Sequence, residues 1–138
     1  MKTNLLIMLL LISLSTSFAQ ADTKTVNTLL QAYATQGAIT ADAEQGKQLW
    51  QKIFKGDDEY AERSCSSCHT QDLTATGKHV KTNKTIKPMA PSINPERLSD
   101  SKKIEKWFKR NCKWTLGREC TAQEKADFLL YIDNQTNF

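Results

Sequence analysis

Apolar residues recur along this chain at the spacing of amphipathic helices in four places, with long polar intervals between them. Val26, Leu29, Leu30 and Tyr33 form the first set, and Gly37 stops it. Thr40 or Asp42 is positioned to cap a second helix, read through about Lys55, with Gly46, Leu49, Trp50, Ile53 and Phe54 on its apolar face and Gly56 at its end. A glycine inside a helix costs about 1 kcal/mol relative to alanine. Gly46 therefore reads as a place where another helix comes close, rather than a tolerated surface glycine. An acidic run, Asp57 to Glu59, follows and leads to a short segment ending at Cys65.

After position 69 the chain stays polar and basic for almost thirty residues, punctuated by Gly77, Pro88, Pro91 and Pro95. Little regular structure is expected there, and a loop of that length in a small domain is normally functional. Ser99 or Asp100 then caps a helix with Ile104, Trp107 and Phe108 on one face, delivering Asn111 and Cys112 at its C-terminal end. Thr121 to Glu124 is a capping box for a last helix whose apolar positions are Phe128, Leu129, Tyr131 and Ile132, with Gln135 to Phe138 expected to fray. The pattern is all-α, with four to five helices and no internal repeat.

The first residues change that picture. Lys2 forms a short basic start, Leu5 to Leu14 is apolar apart from Ser13, and Ser17 to Ala21 offers small-x-small cleavage at Ala19 or Ala21. Residues 1–21 are thus read as a secretory signal and 22–138 as one domain. An apolar run of about ten residues is half of what a bilayer span needs. The mature protein is expected to be periplasmic and not to span a membrane.

Net charge is +4, but residues 78–118 hold twelve basic side chains against Glu96, Asp100 and Glu105. A field of one sign steers partners of the other sign. The same lysines also read as a solvated face. Nucleic acid is excluded as a partner by export and by the lack of a basic-aromatic binding motif.

Cys65-Ser66-Ser67-Cys68-His69 carries the chemistry. In a C-x-x-C-H run the two thiols add across the two porphyrin vinyls, and the adjoining imidazole becomes the proximal iron ligand. One covalent haem c is the expected cofactor, with the proline-rich loop, Met89 and Ile93 walling its edge. Export leaves Cys112 and Cys120 in an oxidising compartment, free to pair with each other. A zinc site is a poor reading, because seven residues separate that second pair.

An early helix with an interior glycine, then C-x-x-C-H, a loop and a last aromatic-aliphatic helix resembles the class I cytochrome c fold. That fold implies a crossing of Gly46 and Trp50 with Phe128 and Ile132. Function then turns on the sixth iron position. Met89, the one methionine after residue 21, lies twenty residues after His69, earlier than the forty-odd usual for the methionine ligand of that fold. His79 reads as a solvated loop histidine. Forty-two residues after His69 stands Asn111, whose residue type alone reads first as a helix C-cap.

The stretch from Trp107 to Thr121, with Ala90 to Arg97 before it, resembles the SHP (sphaeroides haem protein) family of exported monohaem cytochromes. The resemblance implies His69 as proximal ligand, Asn111 as distal ligand of ferric haem, and a Cys112–Cys120 disulfide behind it. It further implies that Asn111 leaves on reduction, opening the iron to oxygen, nitric oxide or carbon monoxide. Electrons would come from a dihaem cytochrome c, linked in some settings to a membrane b-type cytochrome. Oxygen reduction, or reaction of bound oxygen with nitric oxide, is compatible with such a site, but no catalytic residue is assigned. The rival reading is an ordinary electron carrier with permanent His69 and Met89 coordination.

Overall fold

A computed structural model describes residues 23–56 and 59–135. The signal expected over 1–21, the acidic pair Asp57–Asp58 and the last three residues lie outside them. Five helices are described: α1 (Thr23–Thr35), α2 (Ala43–Gln51), α3 (Ser66–His69), α4 (Ser101–Leu116) and α5 (Ala122–Asp133). Two antiparallel ribbons of two residues per strand join them, β1 (Phe54–Lys55) with β2 (Glu62–Arg63), and β3 (Gly77–Lys78) with β4 (Thr85–Ile86).

The polar ends of the helices behave as their residue types dictate. Asp42 caps α2, its carboxylate accepting from the backbone amides of Glu44 at 2.8 Å and Gln45 at 3.2 Å. Asp100 does the same for α4. Thr121 and Glu124 form the full capping box of α5.

Three boundaries differ from the sequence pattern. α2 ends at Gln51, not near Lys55, because Lys52 turns extended and Phe54–Lys55 leave the helix to pair with Glu62–Arg63. Ile53, expected on the buried face, is 63% exposed. Gly56 closes this ribbon, donating its amide to the Ala61 carbonyl at 2.8 Å, instead of stopping a helix. α4 runs on past Asn111 to Leu116 and is ended by Gly117 at φ 73°, a left-handed C-cap that glycine adopts without strain. Asn111 is therefore inside a helix and caps nothing.

The core forms where α5 packs on both α1 and α2. A Cβ at Gly46 would collide with the Asp127 carbonyl and the Tyr131 side chain, so the glycine is what lets α2 and α5 touch. Trp50, a turn later, meets Phe128 and Tyr131 edge-on at ring separations of 6.3 and 5.9 Å. Trp50 thus meets Phe128 as expected, while the closest approach at Gly46 is to Asp127 and Tyr131, one helical position before the expected pair. The buried Asp127 carboxylate accepts the Asp42 amide at 2.8 Å, tying the start of α2 to the middle of α5. On the other flank, Glu105 of α4 takes a hydrogen bond from the Tyr33 hydroxyl of α1 and pairs with Lys125 of α5 at 2.8 Å.

Candidate functional site

The C-x-x-C-H segment is shaped by the serines around and within it. Ser64 and Ser67 cap one another: the Ser67 amide donates to the Ser64 hydroxyl at 3.0 Å, and the Ser64 amide to the Ser67 hydroxyl at 3.2 Å. The result is the single turn α3, with the His69 amide bonded to the Cys65 carbonyl at 3.1 Å. In such a turn positions i, i+3 and i+4 share a face. Cys65, Cys68 and His69 hold those positions, and all three line one cavity.

The rest of the fold locks this turn in place. Thr70 follows His69 at φ 65°, a conformation that a β-branched residue rarely adopts. Its carbonyl is held by the Trp50 indole N–H at 2.9 Å. A side chain at Gly77 would collide with the Cys68 carbonyl, so the β3–β4 hairpin is seated directly against α3. The Trp50 and His69 rings are 5.5 Å apart.

His69 buries its Nδ1 atom without a hydrogen-bond partner, which leaves Nε2 as the nitrogen able to serve the cavity. Burial, with the charges of Arg97 and His79 after it, pushes the imidazole down to about 4. The ring is neutral at physiological pH, the form that binds metals. Burial also pushes the Cys65 thiol up to about 12. Neither Cys65 nor Cys68 is paired in a disulfide. Among the described residues no group of three or more His, Cys, Asp or Glu side chains is placed to hold a metal ion.

The cavity has a volume of about 820 Å³, within the ~300–1,000 Å³ typical of cofactor sites. Trp50, Phe108, Phe128 and Ile132 line it, and the Phe108 and Phe128 rings stack at 6.3 Å. Asn111 and Met89 line it as well. Asn111 comes from α4, and among the described residues its side-chain amide has no hydrogen-bond partner. Met89 comes from the loop, where its amide donates at 2.9 Å to the carbonyl of Leu73, four residues beyond His69. His79 also reaches the cavity rim, but its Nδ1 is occupied by the amides of Lys81 and Thr82 at 3.2 and 3.3 Å, so it organises its own loop. Ile93, expected in the apolar wall, is 48% exposed and lies outside the lining; Ile86 and Val80 are there with Met89 instead. Cys112, next to Asn111, is bonded to Cys120.

Three residues near the cavity were not singled out by pattern. Arg63, two before Cys65, is buried, stacks on Trp114 at 5.0 Å and donates to the Trp114 carbonyl at 2.8 Å, joining the cysteine segment to the end of α4. Its signal is an arginine in an otherwise acidic stretch. Arg97 lines the cavity while its guanidinium holds the carbonyls of Pro88 at 3.0 Å and Lys87 at 2.8 Å. Thr115, buried and four residues after Asn111, gives no sequence signal beyond that spacing.

Comparison with known proteins adds the following. Residues 36–132 match the family model "Domain of unknown function (DUF1924)". The cytochrome c-type protein SHP of Cereibacter sphaeroides is 40% identical over 107 residues, covering 78% of this chain and 81% of that protein. A structure of oxidised SHP, described as an oxygen-binding cytochrome c, superposes with a TM-score of 0.70 at 39% identity, covering 78% of this chain and 94% of that one. A solution structure of cytochrome c'' from Methylophilus methylotrophus, described in connection with haem-ligand detachment, gives a TM-score of 0.70 at 31% identity, covering 84% of this chain and 98% of that one.

Proposed function

The chain belongs to the SHP-type family of cytochromes c, an all-α fold that carries one covalent haem c, and from that premise we propose that it is a redox-gated haem protein whose gate is Asn111. The residues fit the group: two thiols and a neutral imidazole on one face of α3, with an aromatic-walled cavity in front of them. Cys65 and Cys68 supply the thioether bonds and His69 the proximal nitrogen. A haem iron supplies a sixth position whose occupant decides between electron carriage and ligand binding.

Asn111 takes that position in the ferric state and leaves it on reduction. An amide oxygen is a hard, weak donor that ferric iron holds better than the softer ferrous ion. The observation that carries the proposal is the placement of Asn111 within α4: it lines the cavity, its side chain makes no hydrogen bond among the described residues, and it has no capping role, since Gly117 ends the helix. Met89 lines the same cavity from the loop, its amide bonded to the Leu73 carbonyl, and is the rival candidate for that position. The Cys112–Cys120 link stiffens the last turns of α4 next to the gate. Oxygen, nitric oxide and carbon monoxide are the guests such an opening admits.

The expected setting is the periplasm, reached through cleavage of residues 1–21. Among the described residues no helix is long and apolar enough to cross a membrane. A dihaem cytochrome c, fed in some settings by a membrane b-type cytochrome, is the donor proposed for the basic face of residues 78–118. The test is optical. Ferrous protein should bind carbon monoxide, and Asn111→Ala should alter the ferric spectrum. A sharp ferrous spectrum unmoved by carbon monoxide, with a methionine-sulfur band in the ferric form, would establish His69/Met89 electron carriage instead.

A further inference from the structure

Helical threonines normally satisfy their hydroxyls on their own helix, donating to a carbonyl three or four residues back. Thr28 does so to Lys24 at 2.8 Å and Thr35 to Ala32 at 2.7 Å. Thr115 does not. It is only 3% exposed and lines the cavity, yet its hydroxyl makes no hydrogen bond among the described residues, not even to the Asn111 carbonyl one turn back. The hydroxyl is not among the sealed, unpartnered polar atoms of the described residues, so it opens on the cavity and is free to donate to something held there.

Its position says what that something is. Side chains on a helix tilt toward the N-terminus, so residue i+4 covers the surface just behind residue i. Thr115 therefore stands beside the place from which the Asn111 side chain departs. The other polar groups of this wall are less suited. The Trp114 indole nitrogen is sealed in protein, and the exposed Arg110 guanidinium lies over the Trp107 ring at 5.1 Å.

We propose that the Thr115 hydroxyl is the hydrogen-bond donor for the diatomic guest that replaces Asn111, and that it biases the opened site toward oxygen over carbon monoxide. The inference rests on the release of Asn111 proposed above. Oxygen drawn to a ferrous haem gains electron density and accepts a hydrogen bond, whereas carbon monoxide gains little, so a donor at this position discriminates between them.

The experiment measures oxygen and carbon monoxide affinities of the ferrous holoprotein for wild type, Thr115→Val and Thr115→Ser. Valine keeps the shape and removes the hydroxyl. The expected result is an oxygen affinity about tenfold weaker in Thr115→Val, the equilibrium weight of one hydrogen bond to a partly charged acceptor. Carbon monoxide affinity should stay near wild type, which also reports that the variant's haem site is intact, and Thr115→Ser should restore the oxygen preference. An unchanged oxygen-to-carbon monoxide ratio in Thr115→Val overturns the assignment while leaving the Asn111 gate standing. A wild-type ferrous protein that binds neither gas overturns the gate, and this inference with it.

Discussion

Replacing Asn111 by alanine removes one amide from the cavity wall and leaves its helix intact, because Gly117 terminates α4. Asparagine is a poorer helix former than alanine by roughly 0.5 kcal/mol, so Asn111→Ala should not lower the melting temperature of the folded chain. Its ferric spectrum should nevertheless change. A variant that loses stability and keeps its spectrum would mark Asn111 as a structural residue. At this scale Cys65, Cys68 and His69 were legible because covalent chemistry fixes their spacing, and the one-turn α3 then puts all three on one face. Asn111 was singled out only through the resemblance of its surroundings, since its type alone suggested a cap, and what the structure adds is its place on the cavity within α4. Thr115 was not legible: a threonine near the end of an amphipathic helix looks like packing until the missing hydrogen bond is seen.

Elements depend on a few close approaches and caps. Gly46→Ala would push a methyl group into the Asp127 carbonyl, a backbone group that cannot rotate away, and should cost about 1–3 kcal/mol by chemical denaturation. A loss below a few tenths would mean that α2 and α5 are not held as tightly as they pack here. Glu124 offers a second check. Hydrogen bonds from Arg118, two at 2.7 Å, hold its carboxyl below the usual range, with the Thr121 amide adding a third at 2.9 Å. A depressed carboxylate stabilises the fold above the ordinary carboxylate pKa and loses that contribution as pH falls through its folded value. Glu124→Gln should therefore lower stability at neutral pH and flatten the acid side of the stability curve, and an unchanged acid limb would contradict the pairing. Helix starts were legible from Asp42, Asp100 and Thr121, because capping is local chemistry. The end of α2 was not, because Ile53 and Phe54 keep the helical period while pairing with Glu62–Arg63, a partner about nine residues away, takes the chain out of the helix. Opening the Cys112–Cys120 bond by a double serine substitution should cost about 2–3 kcal/mol for so short a loop.

Across the whole molecule, the structure separates a packed α1–α2–α5 core from a cavity that α3, α4 and the long loop complete. That division was visible in the sequence as apolar helices flanking a polar, proline-marked stretch, although the small β3–β4 hairpin within it was not. Of the twelve basic residues between 78 and 118, all but Arg118, which lies just past α4, fall on the loop and on α4, the elements that border the cavity. Reduction by an acidic donor protein should therefore slow steeply as ionic strength rises past about 0.1 M, where screening acts within roughly 10 Å. A flat salt dependence would assign those lysines to solvation alone. The central claim is that the sixth position opens on reduction. The most direct measurement is the ferrous spectrum of the purified holoprotein before and after carbon monoxide: a five-coordinate spectrum that shifts on adding the gas is expected, and a low-spin, six-coordinate spectrum that does not move would contradict it.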